Sequence, residues 1–469
     1  MSPPLSTERV LSTMNKDGSR HLIRPKLARG RFLRRRRIVG YTLIALFVAL
    51  PFVKIGGRPA LLMDMVTREL SLFGAVFRPT DSFILMLFGL TIVLAVFLLT
   101  ALFGRVWCGW GCPQTVYLEL VFRPIERWLE GSAAQQRNRD ERGGVQGKRL
   151  LKWAIYTAIS VVMANVFLAY FVGVARLQEW VFRSPNEHIG GFLLVVGVSA
   201  LILFDFGYFR EQMCIVACPY GRLQAVLLDK QSMIIGYDVK RGEPRRKPKK
   251  MLPVLREGSE SSEGGDCVDC DACVSVCPTG IDIRDGLQME CIGCAQCIDA
   301  CDGVMDKVNK PRNLISYTSR DMLAGGARKL LRVRTVIYPL LLVFVAATFV
   351  VGVGTHTSTK VWIDRVEGPT FVELPDDQIS SQLRLKLENA DLAGHHYIVT
   401  LEGASNATLR GVTTFDVKGL KSFESTMFVD SPRTSFAHGK LRVRVRATDE
   451  LGHASVLDAT LFGPEGARR

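Results

Sequence analysis

Eight of the twelve cysteines fall in two packets, "CVDCDACVSVCP" at 267–278 and "CIGCAQCIDAC" at 291–301. Both have the spacing C-x2-C-x2-C-x3-C, and the first closes on Pro278. This is the run of bacterial two-cluster ferredoxins, in which three thiolates hold one 4Fe–4S cube and the fourth reaches across to the other. By that rule Cys267, Cys270, Cys273 and Cys301 form one ligand set, and Cys277, Cys291, Cys294 and Cys297 form the second. Small residues between the ligands let backbone N–H groups approach the sulfurs. Zinc takes four ligands, usually in C-x2-C pairs separated by a longer loop, and does not fit two interleaved three-plus-one runs. Asp302 follows Cys301 where the run usually has proline, a departure that bears on the local loop and on the potential rather than on ligation.

The other four cysteines use a second pattern twice. "VWCGWGCPQ" carries Cys108 and Cys112, and "QMCIVACPYGR" carries Cys214 and Cys218. Each C-x3-C-P follows an apolar stretch by a few residues. If the segments are helical, i and i+4 place both thiols of a pair on one face. Convergence of the two pairs makes a site for a soft ion: Cu(I), zinc or a further iron–sulfur centre. The alternative is thiols that merely pack.

The elements that position these residues are apolar runs. Five stretches, at about 38–55, 83–104, 153–174, 189–206 and 335–353, match the ~20 helical residues that cross a ~30 Å bilayer core. Lys and Arg number eleven in residues 1–37, three in 56–81, nine in 105–152, two in 173–188 and twenty in 209–334. The alternation predicts an inner N-terminus and inner cysteine packets, with the region after the fifth span outside. All twelve cysteines then lie on the inner side. Structural disulfides prefer oxidising compartments, so these thiols are read as metal ligands. The net charge of +15 is placed on inner segments facing an anionic leaflet. The basic run 240–250 is read as a membrane-adjacent linker, with no nucleic acid as partner. The predicted order is a basic segment 1–37, a membrane domain 38–208 of two hairpins, a linker and ferredoxin-type domain 209–334, a fifth span 335–354 and an outer domain 360–469.

Residues from about 360 alternate apolar and polar in short runs, such as "QLRLKLEN" and "GKLRVRVRATDE". Seven or so strands in 110 residues predict an immunoglobulin-like β-sandwich of docking type. His395, His396 and His438 are read as surface residues. No histidine falls inside an expected span, which argues against haem held between helices. There is no G-x-G-x-x-G after a strand and hence no sign of a built-in nicotinamide or flavin site. Electrons must come from a partner or a diffusible donor. Asp205, near the inner end of the fourth stretch, is an acid at membrane depth and a functional candidate.

"RPKLARGRFLRRRR", "VWCGWGCPQTVYLELVFRPIERWLEG", "YFREQMCIVACPYGRLQ", the paired ferredoxin runs and the β-rich tail occur in this order in the FixG/RdxA/CcoG family of cytochrome c oxidase accessory proteins, which the chain resembles over nearly its whole length. The resemblance implies a multi-pass protein of the bacterial inner membrane with two 4Fe–4S clusters in the cytoplasm and a periplasmic sandwich. It also implies a role in maturing cbb3-type oxidase and reduction of Cu(II) to Cu(I), with assembly factors or copper-handling proteins as partners. Cys108, Cys112, Cys214 and Cys218 are the expected copper or additional metal site. Two other functions stay open: an electron-relay subunit of a quinol dehydrogenase, and a non-catalytic redox sensor or scaffold. A homo-oligomer is compatible with all three.

Overall fold

The computed structural model describes residues 9–11, 13–15, 22–142, 147–245, 264–327, 331–355 and 359–464, except 367, 376, 390–392, 405, 420, 451 and 453. Residues 246–250 of the basic run and parts of the N-terminal basic segment lie outside that set. The chain divides into two units, Met1–Val350 and Val351–Arg469.

Among the described residues, four helices of the first unit and its boundary are long and apolar enough to cross a membrane: Pro79–Phe103, Gly147–Val172, Ile189–Phe209 and Val333–Gly354. Apolar side chains cover them on all sides, so no single face drives their burial. Gly147–Val172 is the most enclosed, with 39% of its apolar window buried, whereas Val333–Gly354 has 6% buried and turns its side chains outward. The first expected span differs. Its helix runs Arg31–Ala49 and ends in a 3-10 turn at Leu50–Phe52 that contains Pro51. The apolar part from Ile38 to Ala49 rises only about 18 Å, and the arginines before it belong to the same helix. This helix is therefore not among the four.

The polar ends of these helices are locked by buried charge. Glu126, on the short helix Arg123–Glu130, pairs with Arg24 at 3.0 Å, with Lys152 at 3.6 Å and with Arg210. Arg24 also meets Asp140 at 3.0 Å, and Lys152 meets Glu130 at 2.9 Å. Burial raises the Glu126 pKa, but the charges of Arg210, Arg24 and Lys152 outweigh it and hold the carboxyl at about 2.

The cysteine packets fold around a core of Ile235, Ile283, Ile298, Met305, Leu314 and Ile315. Strands Ile234–Tyr237 and Ile315–Thr318 pair antiparallel beside the helix Gln296–Lys307. Asp299 of that helix accepts hydrogen bonds from the backbone N–H of Phe32 (3.1 Å) and Leu33 (2.7 Å). It thereby fastens the start of the Arg31–Ala49 helix to this module. Cys301 and Asp302 lie in the middle of the helix Gln296–Lys307, where proline would break the turn. Asp302 instead accepts from Asn313 N at 2.9 Å, which accounts for the departure from the ferredoxin run.

The second unit is a sandwich of two antiparallel sheets. One orders Thr359–Arg365, Gln378–Asn389, Ser422–Pro432 and Thr408–Arg410, with Val372–Leu374 paired to the second of these; the other orders Thr414–Val417, His395–Glu402, Lys440–Asp449 and Ala454–Phe462. Leu383, Leu385 and Leu387 point inward while Arg384 and Lys386 point out, the period of two that the sequence predicts. His395 departs from its expectation. It is buried and lies 3.3 Å from Glu450, while His396 is exposed beside Asp416.

Leu385 is 0% exposed, so Leu385→Ala is expected to cost about 2–5 kcal/mol, read as lost hydrogen-exchange protection in Gln378–Asn389 of the full-length protein. Glu126→Gln is expected to cost about 3–5 kcal/mol by leaving buried cations short of an anion, read as a lower unfolding temperature in detergent. Because the folded pKa of Glu126 lies below its ordinary 4.5, its contribution is complete above about pH 4.5 and is lost as pH falls toward 2. The Gln variant should lose this part of the acid sensitivity.

Candidate metal centres and the contact between them

The loops that carry the ferredoxin cysteines turn sharply. Asp269, Asp271 and Ala295 have φ of 50°, 53° and 62°, and Gly293 has 69°. These left-handed positions fold each run back on itself, so that its thiols face inward rather than spread along a strand. Two cavities result. One is lined by Cys267, Cys270, Cys273 and Cys301, and the other by Cys277, Cys291, Cys294 and Cys297, with Cys273 in both walls. Cys270 is exposed, Cys277 and Cys297 are half-buried, and the remaining five are buried.

Burial pushes Cys294 and Cys301 up to about 12 and Cys291 to about 11, and raises Cys273 and Cys297 as well. Such thiols stay protonated at neutral pH unless a cation replaces the proton. Two pockets walled by at least four soft donors each, with Met305, Leu314 and Ile315 lining the first and Ile281, Ile283 and Ile292 the second, fit iron–sulfur clusters, which accept and release single electrons when bound.

The C-x3-C-P pairs are built otherwise than as one helix face. Cys108 lies in the short helix Val106–Trp110, but Cys112 is extended (φ −64°, ψ 125°) and precedes the helix Pro113–Tyr117. Cys214 lies in a π-turn at Met213–Ala217, and Cys218 is extended (φ −71°, ψ 110°) before the helix Pro219–Leu227. The proline forces this, since the residue before proline is driven out of the α region. In both motifs the N–H of the second cysteine donates to the carbonyl five residues back, Cys112 to Trp107 at 2.9 Å and Cys218 to Met213 at 2.8 Å.

The two motifs come together. Burial drives Cys108 and Cys214 up to about 12, and neighbouring thiols of the other motif add to both shifts. Cys108 donates to Gln224 Oε1 at 3.1 Å, and Gln224 Nε2 donates to Tyr220 Oη at 2.7 Å. Gln114, next after Pro113, donates to Asp205 Oδ1 at 3.1 Å and to the Arg210 carbonyl at 3.0 Å. Among the described residues, no three Cys, His, Asp or Glu side chains close tightly around one point to hold a single ion. The four thiols are neighbours without forming a ready-made tetrahedral cage.

The contact between the two kinds of site was not foreseeable from spacing. A Cβ on Gly109, between Cys108 and Cys112, would lie 2.7 Å from Cys294 Cα and 2.7 Å from the Ile292 carbonyl. Only glycine allows this approach. Trp110 Nε1 donates to Tyr317 Oη at 3.0 Å, and Tyr317 Oη donates to the Gly293 carbonyl at 2.7 Å. Arg105 donates to the carbonyls of Met289, Gly221 and, at 3.3 Å, Cys291. Arg123 donates to Glu211 (3.2 Å) and to the Pro278 carbonyl (3.3 Å). Both C-x3-C-P segments are thus clamped against the loops of the Cys277/Cys291/Cys294/Cys297 cavity. The position of Gly109 inside "CGWGC" and the arginines beside each motif are the signals that a pattern reading passes over.

Comparison with known proteins agrees with this anatomy. Residues 209–320 match a 4Fe-4S dicluster domain, 85–131 a 4Fe-4S binding domain, and 349–464 the Ig-like fold at the C-terminus of FixG. The nitrogen fixation protein FixG of Rhizobium meliloti is 32% identical over 96% of this chain and 94% of its own length. RdxA of Cereibacter sphaeroides is 34% identical over 83% of this chain and 80% of its own. A FixG-related protein from Vibrio parahaemolyticus has a crystal structure that matches 23% of this chain and 97% of its own, at 12% identity and a TM-score of 0.21. With four helices able to cross a membrane, dicluster loops and relatives this similar over most of its length, the chain belongs to the FixG/RdxA family and is a membrane-bound iron–sulfur electron-transfer protein.

Proposed function

We propose that the protein reduces Cu(II) to Cu(I) at the inner face of the bacterial plasma membrane and supplies the product to assembly of a cbb3-type oxidase. The observation that carries this reading is the seat of Gly109 on Cys294, which leaves no room for a side chain between the C-x3-C segment and a ferredoxin loop. In this reading Cys267, Cys270, Cys273 and Cys301 hold one 4Fe–4S cluster, and Cys277, Cys291, Cys294 and Cys297 hold the other. The two cavities lined by these sets support the division.

Copper is the substrate, bound at the thiols of Cys108, Cys112, Cys214 and Cys218. Each turnover adds one electron, supplied by an external one-electron reductant, to one Cu(II). Soft sulfur ligands favour Cu(I) over Cu(II), so the thiols make the reduction more favourable. The loose arrangement of the four thiols suits an ion that is handed on. The Arg31–Ala49 helix with the chain up to Ile55 makes the fifth crossing, the bilayer thinning locally to match its short apolar part. The basic segments and both clusters lie in the cytoplasm, the sandwich lies in the periplasm, and copper-handling proteins or oxidase assembly factors are the partners.

Quinol oxidation is the competing reading. The observation in its favour is Asp205, held by Gln114 at the end of the Ile189–Phe209 span beside the thiol pairs, where a carboxylate could take a quinol proton.

Anaerobically purified protein is expected to contain iron and acid-labile sulfide and, with reduced methyl viologen as donor, to reduce Cu(II) repeatedly. Replacing Cys108, Cys112, Cys214 and Cys218 by Ser should cut Cu(II) reduction at least tenfold while iron and sulfide stay at the level of the unaltered protein. Reduction that survives the loss of all four thiols would remove copper from this site. Quinol oxidation without Cu(II) reduction would establish the other reading.

A further inference from the structure

Four consecutive arginines, Arg34 to Arg37, open the Arg31–Ala49 helix, and three of them are exposed. Arg36 is the exception, at 1% exposure. Its Nε donates to the Gly109 carbonyl at 2.6 Å. Among the described residues, one terminal nitrogen of the same guanidinium, shielded from solvent, has no hydrogen-bond partner. Among the described residues no carboxylate forms an ion pair with it. An unneutralised buried cation is costly and calls for a negative charge nearby. The ligand loop on which Gly109 rests is where such a charge would sit. Gly109, whose carbonyl Arg36 holds, sits so close to that loop that a Cβ on it would lie 2.7 Å from Cys294 Cα.

The surroundings of the other cysteine set differ in sign. Arg284 faces Cys273, but its guanidinium is already shared among Asp269 (2.8 Å), Asp271 (2.6 Å) and Asp282 (2.6 Å). Asp302, next to Cys301 in the chain, pairs with Arg31 at 3.5 Å. One set therefore sits by a free buried cation and the other by cations outnumbered by carboxylates. A reduced cluster carries one more negative charge than an oxidised one, so the nearby charge sets its potential.

We propose that Arg36 is a positioning and tuning residue that holds the Cys277/Cys291/Cys294/Cys297 centre at a higher reduction potential than the Cys267/Cys270/Cys273/Cys301 centre. The same side chain grips Gly109, so the centre favoured for the electron is the one against the C-x3-C-P thiols. This rests on the assignment of those eight cysteines as cluster ligands.

The test is a potentiometric titration with dithionite and mediators, followed by EPR, on anaerobic full-length protein in detergent. The unaltered protein is expected to give two signals with separate midpoints. Arg36→Gln should lower the midpoint of the higher-potential signal by at least a tenfold change in its reduced-to-oxidised ratio, which is 59 mV for one electron, and leave the other signal in place. Arg36→Lys, which keeps the charge, should hold that signal within threefold of the unaltered ratio. The inference fails if Arg36→Gln moves neither signal, moves the lower one, or moves both alike. Should the Gln variant not retain iron, Arg36→Lys decides, since a tenfold drop there would make geometry and not charge responsible. Absence of iron and sulfide from the unaltered protein would overturn the ligand assignment instead.

Discussion

The meeting of Gly109 with the Cys294 loop is the constraint on which the rest of the first unit depends. A membrane-edge segment and a ferredoxin loop approach at backbone distance, and polar groups at that seam must be satisfied within the protein. Arg36 takes the Gly109 carbonyl, Tyr317 takes the Gly293 carbonyl, and Arg105 takes those of Met289, Cys291 and Gly221. Backbone carbonyls buried without partners are costly. The arginines therefore act as much as hydrogen-bond donors as charges.

Outward from the seam, buried ion pairs add to the apolar packing of Tyr117, Phe122, Tyr156 and Phe206 that joins the helices. Glu126 brings together the N-terminal segment, the Gly147–Val172 helix and the turn that leads to Cys214. Arg123 carries the same linkage to Glu211 and to Pro278. Such pairs add little net stability over a well-packed apolar core, yet they fix one arrangement because any other strands a charge. A protein that must keep redox centres at constant separation gains from that rigidity.

The sandwich is built by a different principle. It has a continuous apolar interior and alternating strands, contains no cysteine, and depends on none of the contacts just described.

Local spacing alone determined the two ferredoxin runs, the doubled C-x3-C-P motif, four long apolar helices and the period-two strands of the tail, because each of these depends on neighbours within a turn or a strand. The extent of the first helix was misjudged, since hydropathy starts at Ile38 whereas the hydrogen-bonded helix starts at Arg31 among residues that the Asp299 cap holds. Convergence of the thiol pairs was legible from their repetition, but not its means. The proline after each second cysteine breaks the helix that would have put both thiols on one face. Tertiary structure alone decided which one of four adjacent arginines is buried, that Gly109 rests on Cys294, and that Trp110 reaches Tyr317. These pairings span 73 to 207 residues. Burial of a charge or a carbonyl depends on what the whole chain brings to it, and no local pattern encodes that.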